Sequence, residues 1–403
     1  MALRYLLRFF TYALNNTLST PIANCPAVPQ TIEKVKPEMT DTYEIAVFEG
    51  DGIGPEITAP TVALLKDMAA AATGYDLSFT TLPAGAGHYA RTGESLPKDS
   101  LRIAGEADAI LLSAMGLPDV RYPDGTEISP QIELRMAFNL FAGIRPVNVR
   151  PGQAGPLTLP EGREIDFVLV RESTEGLFYS MGSGEVTETE ARETLRITRE
   201  VSEQLFRFAF DLARGRKAEG RGPGRVTCVD KANVFRAFAF FRGIFDEIAA
   251  DYPDLVADHA YVDATALWMV QKPWDFDVMV TENMFGDILS DLGAGLMGGL
   301  GVAPSADIGL KQAVFQPCHG SAPDIAGQGV ANPHAMILSA AMMLDWLGIK
   351  HDNAAMRADG ARLREAVEAV IARGDCLTRD LGGTAGTDAA AGAVRALLDA
   401  QSA

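Results

Sequence analysis

Short apolar runs alternating with helical patterns set the tightest limit on how this chain can fold. YEIAVFEG, LSFTTLPAG, ADAILLSAMG, DFVLVRE, RVTCVDKANV, DHAYVDA, VMVT and AVFQP recur along the sequence, most of them followed by a turn and a helix-period stretch. Such alternation specifies an α/β chain with a mostly parallel sheet. A length of 403 residues allows two domains, or one large α/β unit with an insertion. Within this frame QIELRMAFNLFAGIRP reads as one helix, and residues 190–214 as a long amphipathic helix. STEGLFYSMGSGEVTE alternates poorly and is rich in glycine, so it is expected to protrude as a hairpin or arm.

The net charge of −18 argues against a nucleic-acid partner and gives an anionic substrate no long-range help. Any anion site must therefore be built locally, from a few convergent arginines. Cys25, Cys228, Cys318 and Cys376 show no metal-ligand spacing and read as free thiols in a reducing, cytoplasmic setting. The first forty residues contain two arginines and no acidic residue before Glu33. They are set aside as an extension. A targeting segment, which would make the location organellar, or a start at Met39 are the alternatives. MALRYLLRFFTYALNN is too short and interrupted to span a membrane.

VMVTENMFGDILSDLGAG, residues 278–295, carries the sharpest chemical signal. A buried strand ending at Thr281 leads into a helix on which Asp287 and Asp291 stand four residues apart. That spacing puts both carboxylates on one helix face, roughly 5–6 Å apart at Cβ. Met284, Phe285, Ile288, Leu289 and Leu292 around them imply a half-buried helix. A half-buried acidic pair calls for a cation, and oxygen-only ligands favour Mg²⁺ or Mn²⁺. GDGIGPE, by contrast, has the spacing GxGxG and not the GxGxxG of a dinucleotide fingerprint. A glycine turn packing a strand onto a helix is the better reading.

Arg135, Arg145, Arg171, Lys231, Asp263, Asp287, Asp291 and the HGSAPD loop form a coherent set for one reaction class. Arginines bind carboxylates in bidentate fashion. A divalent metal polarises a hydroxyl and the carbonyl it becomes, and a lysine of lowered pKa can take the hydroxyl proton. That combination suits oxidation of a 2-hydroxy acid whose neighbouring carboxylate leaves as CO₂.

GDGIGPE, LFAGIRP, VRESTEG, DKANV, FGDILSDL, HGSAPDIAG and DLGGTAGT together closely resemble the isocitrate/isopropylmalate dehydrogenase family of β-decarboxylating dehydrogenases. The resemblance runs from about Tyr43 to the C-terminus. It implies an α/β, isopropylmalate dehydrogenase-like two-domain fold that is not a Rossmann fold, with the active-site cleft between the domains. Residues 43–140 and 298–403 would form the larger, cofactor-binding domain. Residues 141–297 would form a middle domain with a dimerisation arm and the metal-binding helix. Arg135, Arg145 and Arg171 would hold substrate carboxylates, Lys231 would be the proton-shuttling base, and Asp263, Asp287 and Asp291 the ligands of Mg²⁺ or Mn²⁺. Lys231 and Asp263 would reach in from the partner of a homodimer. His319, Gly320, Ser321, Ala322, Pro323, Asp324, Ile325 and Asn332 would bind the adenosine half of the cofactor. Asp324 marks the NAD type, since its carboxylate would accept from a ribose 2′-OH and repel a 2′-phosphate.

Two positions depart from the family pattern. Where members carry a proton-donating tyrosine, this chain has Phe178, with Tyr179 one residue later as the candidate replacement. Before Arg135, isopropylmalate enzymes carry paired leucines, and this chain has Gln131 and Ile132. Ser129 and Gln131 instead resemble the polar pattern of isocitrate enzymes. A substrate of the 3-isopropylmalate type is the leading expectation; isocitrate, homoisocitrate, tartrate and D-malate are alternatives. A non-catalytic regulatory subunit is a further alternative, opposed by retention of Lys231 and all three aspartates.

Overall fold

The structure, a computed structural model, describes residues 41–402 apart from 152 and 154. The expectations for the first forty residues, and for Cys25, therefore lie outside the described residues. The first segment runs β1 (Thr42–Phe48), α1 (Gly54–Ala71), β2 (Asp76–Thr81), α2 (Ala86–Thr92), α3 (Lys98–Glu106), β3 (Ala109–Leu112) and α4 (Pro130–Ala137). The middle holds β4 (Ala142–Val149), β5 (Ile165–Glu172), β6 (Glu185–Val186), β7 (Ala191–Arg192), α5 (Arg199–Ala218), β8 (Arg225–Asp230) and α6 (Arg236–Ala249). It continues through β9 (Val256–Tyr261), α7 (Val262–Gln271), β10 (Val278–Thr281) and α8 (Asn283–Met297). The end adds β11 (Pro304–Ile308), β12 (Ala313–Pro317), α9 (His334–Lys350), α10 (Ala354–Arg373) and α11 (Thr387–Ser402).

Among the described residues ten strands form one sheet in the order β2-β1-β3-β12-β11-β4-β5-β10-β8-β9. Strands from the two ends of the chain make one half and strands from the middle the other. The sheet is parallel except at its centre, where β11 pairs antiparallel with both β12 and β4, and β4 pairs antiparallel with β5. Strands such as β3 (AILL) and β10 (VMVT) are buried along their whole length, as expected where helices cover both faces. One apolar cluster joins Val47 and Leu111 to Val170 and Val280 and on to Met336 and Leu363, so both halves share a core. Among the described residues, no helix is long and apolar enough to cross a membrane.

Three segments differ from the sequence expectation. The helix read through QIELRMAFNLFAGIRP stops at Ala137, and residues 142–149 form β4. Asn139 adopts a left-handed φ of 48°, a conformation that ends a helix and that asparagine tolerates better than most residues. The long helix begins at Arg199 rather than near residue 190, with Thr198 capping it through Val201 N–H. Asp263 sits in the first turn of α7 instead of at the end of a strand. The expected arm does form a small antiparallel ribbon, β6–β7, whose four residues are all exposed.

Candidate active site

A cleft of about 190 Å³ is lined from the ends of β3, β5 and β12, where the two oppositely running halves of the sheet meet. Arg135 from α4, Arg145 from β4 and Arg171 from β5 converge on it, and Asp287 and Asp291 face it from α8. Leu112, Ala114 and Met115 give it an apolar wall, and Gln131 a polar one.

Local sequence explains why α8 sits so close to β5. Glu282 caps the helix, its carboxylate accepting from Phe285 N–H at 2.8 Å. A Cβ on Gly286 would lie 2.7 Å from Cβ of Arg171 and 2.6 Å from its Cγ, so only glycine permits this approach. Arg171 then donates from Nε and Nη2 to Asn283 Oδ1 at 2.9 and 2.7 Å, and from Nη1 to Asp287. Burial, with Arg135 adding repulsion, lowers the Arg171 pKa to about 10. It remains a cation at neutral pH. Asp287 and Asp291 are exposed to the cleft, although the helix that carries them is half-buried as expected. Burial at the cleft wall, and next the Asp287 charge, raise the Asp291 pKa. A pair that resists double ionisation is suited to a cation between its members.

One central residue was not among the sequence candidates. Asp307 on β11 is fully buried beneath the arginines, accepting from Arg135 Nε at 3.1 Å, Arg145 Nη2 at 3.3 Å and Gln316 Nε2 at 2.7 Å. The alternation of Ser305 and Asp307 with Ala306 and Ile308 was the available signal for a strand with one polar face.

Lys231 and Asp263 do not line this cleft. They pair with each other at 2.5 Å, beyond the end of β8. Among the described residues no three acidic, histidine or cysteine side chains of one chain are grouped to hold a metal. Ser129 stands at the start of α4, its hydroxyl bonded to the Glu127 carbonyl at 3.4 Å, outside the cavity lining. The one-residue shift around Phe178 also has a geometric outcome. Phe178 lies 5.8 Å under the Arg171 guanidinium, whereas Tyr179 is 48 % exposed and stacks 3.9 Å from Arg196. Tyr179, expected as a catalytic residue, is thus not brought to the cleft of its own chain.

GDGIGPE scaffolds the HGSAPD loop. Asp51 accepts from Ala86, Gly87 and Gly116 N–H at 2.7–2.9 Å. Ile53 N–H donates to the Ser321 carbonyl at 2.8 Å, and a Cβ on Gly52 would lie 1.9 Å from that oxygen. Glu56 accepts from Gly327 and Ala331 N–H and from Thr387 Oγ1 at 3.1, 2.9 and 2.7 Å. The motif's acidic groups are therefore spent on backbone N–H groups and the Thr387 hydroxyl, consistent with a packing turn. The loop holds His319 to one side of the cleft, with its Nε2 buried and unpartnered, and leaves Asp324 exposed. Asn332 bridges this region to the end of the chain, donating to Asp380 at 2.9 Å.

The profile of the isocitrate/isopropylmalate dehydrogenase family matches residues 44–394. The chain belongs to that family. It is 42 % identical over 346 residues to the 3-isopropylmalate/3-methylmalate dehydrogenase of Methanocaldococcus jannaschii, covering 86 % of this chain and 96 % of that one. It is 40 % identical over 350 residues to the 3-isopropylmalate dehydrogenase of Streptococcus pneumoniae, covering 85 % and 96 %. Among solved structures it resembles isocitrate dehydrogenase from Methylococcus capsulatus, with a TM-score of 0.76 and 35 % identity over 88 % of this chain and 99 % of that one. A β-decarboxylating dehydrogenase from Thermococcus kodakarensis in its apo form gives 0.71 and 37 %, covering 89 % and 96 %.

Proposed function

We propose that this chain is an NAD-dependent, Mg²⁺- or Mn²⁺-dependent β-decarboxylating dehydrogenase acting on a 2-hydroxy acid of the 3-isopropylmalate type, and that it works as a homodimer. The observation that carries the reading is the convergence of three arginines and the Asp287/Asp291 pair on one cleft. The apolar wall of Leu112, Ala114 and Met115 supports an alkyl substituent on the substrate.

The residues fit the two groups the reaction needs. Asp287 and Asp291 offer two carboxylates on one face, and Asp263 is the proposed third ligand, from the partner subunit. The buried, unpartnered Nε2 of His319 and the exposed carboxylate of Asp324 suit an adenosine moiety along residues 319–326 and at Asn332. When bound, the cation supplies polarisation of the hydroxyl oxygen and NAD supplies the hydride acceptor. Arg135, Arg145 and Arg171 orient the substrate carboxylates. Lys231 takes the hydroxyl proton on Nζ, from a site it shares across the dimer.

Val234, Phe235, Phe240, Leu267, Val270 and Ile288 are exposed apolar side chains that follow β8 or lie on α6, α7 and α8, the elements after which or on which Lys231 and Asp263 and the acidic pair stand. Burying these side chains in a two-fold dimer is the arrangement proposed here. The proposed division is into a larger part, residues 43–140 and 298–403, and a middle part, 141–297; the change from strands of the chain ends to strands of its middle across the sheet supports it. Free Cys228, Cys318 and Cys376 accord with a reducing cytoplasm.

The reading is tested by NADH formation across a panel of malate derivatives, with and without chelator. The expected result is turnover of an alkylmalate with NAD that chelation abolishes and Mn²⁺ or Mg²⁺ restores. Undiminished turnover in excess chelator would remove α8 from the mechanism.

A further inference from the structure

Asp307 raises a question that the reaction class leaves open. A carboxylate with no exposure at all lies on the inner side of two arginines that are meant to receive substrate carboxylates. Buried charges are costly unless paired, and here the pairing is fourfold: Arg135, Arg145, Gln316 and, at 3.5 Å, Ser173 Oγ. Gly143 belongs to the same arrangement, since a Cβ there would come within 3.0 Å of Asp307 Oδ1. Burial pushes the Asp307 pKa up, but Arg135, Arg145 and Arg171 more than reverse this and hold it at about 2. The group is thus a fixed anion at any pH at which the enzyme would work.

The charge count at the cleft follows. Arg135, Arg145 and Arg171 bring three cations; Asp307 permanently answers one of them, while Asp287, which accepts from Arg171, is balanced together with Asp291 by the proposed divalent cation. The remaining capacity is for two substrate carboxylates. The other polar group near Arg135 carries no charge: Gln131 stands one turn earlier on α4 and lines the cleft, with its Oε1 buried and unpartnered. A neutral amide answers a hydroxyl or lies beside an alkyl group, but does not neutralise a third carboxylate.

We propose that Asp307 is a specificity-determining residue that makes this a dicarboxylate site, accepting 2-hydroxy diacids with an uncharged C3 substituent and rejecting tricarboxylates. It acts through Arg135 and Arg145 and touches no substrate itself. The proposal rests on the function proposed above and names the substrate class within it, where family membership spans both diacids and triacids.

The test compares kcat/KM for 3-isopropylmalate and isocitrate in the wild type and in Asp307→Asn. The wild type should prefer the diacid by about two orders of magnitude, and the variant should shift that ratio toward the triacid by roughly tenfold or more. An equal loss for both substrates, with the ratio unchanged, would show that Asp307 only holds the arginines in place and overturn the proposal. A second arm needs no variant. Binding of isopropylsuccinate and of tricarballylate to the wild-type protein, measured by calorimetry, should favour the diacid by about tenfold or more; equal affinities would overturn the charge match. Absence of turnover with every 2-hydroxy acid would refute the reaction, while the calorimetric arm would still decide the charge match, and the same titrations on Asp307→Asn the role of Asp307.

Discussion

Gly286→Ala sets two effects of opposite sign against each other at the centre of the site. In an unconstrained helix the change should stabilise by about 1 kcal/mol, because alanine loses less backbone entropy than glycine. Here the new methyl would meet Arg171 Cγ at 2.6 Å, Cβ at 2.7 Å and Cα at 3.2 Å. These atoms are anchored to β5, and the guanidinium beyond them is tied to Asn283 and Asp287. The side chain cannot swing aside, so α8 must move away by on the order of 1 Å, at an overpacking cost of about 1–3 kcal/mol. The clash wins, and the net effect is destabilisation of about 0–2 kcal/mol, read from urea unfolding. The functional effect is larger, because the displaced helix carries Asp287 and Asp291. A misplacement on the order of 1 Å costs about a hundredfold in an oriented site. The Mn²⁺ concentration for half-maximal activity should rise and kcat/KM should fall between about tenfold and a hundredfold. A variant that is more stable by about 1 kcal/mol with wild-type activity would show propensity acting alone and refute the packing argument.

Glu56→Gln should loosen the loop that Glu56 clamps, raising KM for NAD with little change in kcat, and speed amide exchange at Gly327 and Ala331. In the wild type burial raises the Glu56 pKa, but the bonds from Thr387, Ala331, Gly329 and Gly327 outweigh it and leave it below the usual 4.5. The clamp is therefore intact above that value and lost as pH falls through the lowered one, and amide exchange in the glutamine variant should lack this acid-side change. Tyr179→Phe should leave turnover within about twofold, since its ring faces Arg196 rather than the cleft, whereas Phe178→Tyr should place a hydroxyl beside Arg171 and change the rate of product protonation. A heterodimer of Lys231→Ala and Asp287→Ala chains should recover about half of wild-type activity if sites are shared. Activity no higher than in either parent homodimer would place Lys231 in its own chain's site.

What the sequence revealed depended on whether a contact is local. Asp287 and Asp291 belong to one helix, so their spacing alone placed them on one face, and the capped, glycine-bearing helix bears this out. The packing role of GDGIGPE was also legible, because the spacing of its glycines excluded the dinucleotide turn. The boundary between α4 and β4 was not: LFAGIRP is apolar enough to continue a helix, and the break depends on a left-handed Asn139. Asp307 was hidden for a different reason. Its partners lie 172 and 162 residues away in sequence, and β11 enters the sheet antiparallel, so no βαβ rhythm announced it.

The antiparallel insertion explains how one cleft can hold so much charge. In a fully parallel sheet the side chains at the C-terminal edge come from loops and strand ends. Here β11 runs against both of its neighbours and β4 against both of its own, and Arg145 and Asp307 project from within these strands. The backbones of β4 itself and of β11 hold Arg145, which reaches the Ile144 and Ala306 carbonyls at 3.1 and 3.2 Å as well as Asp307. A guanidinium with its inner donors already spent presents only its outer edge to a ligand. Its position is then fixed before binding, which reduces the ordering cost that substrate must overcome. The arginine that keeps more freedom is Arg135, on a helix of eight residues beside Gln131. Variation in substrate preference is therefore expected from α4, and variation in charge capacity from β11.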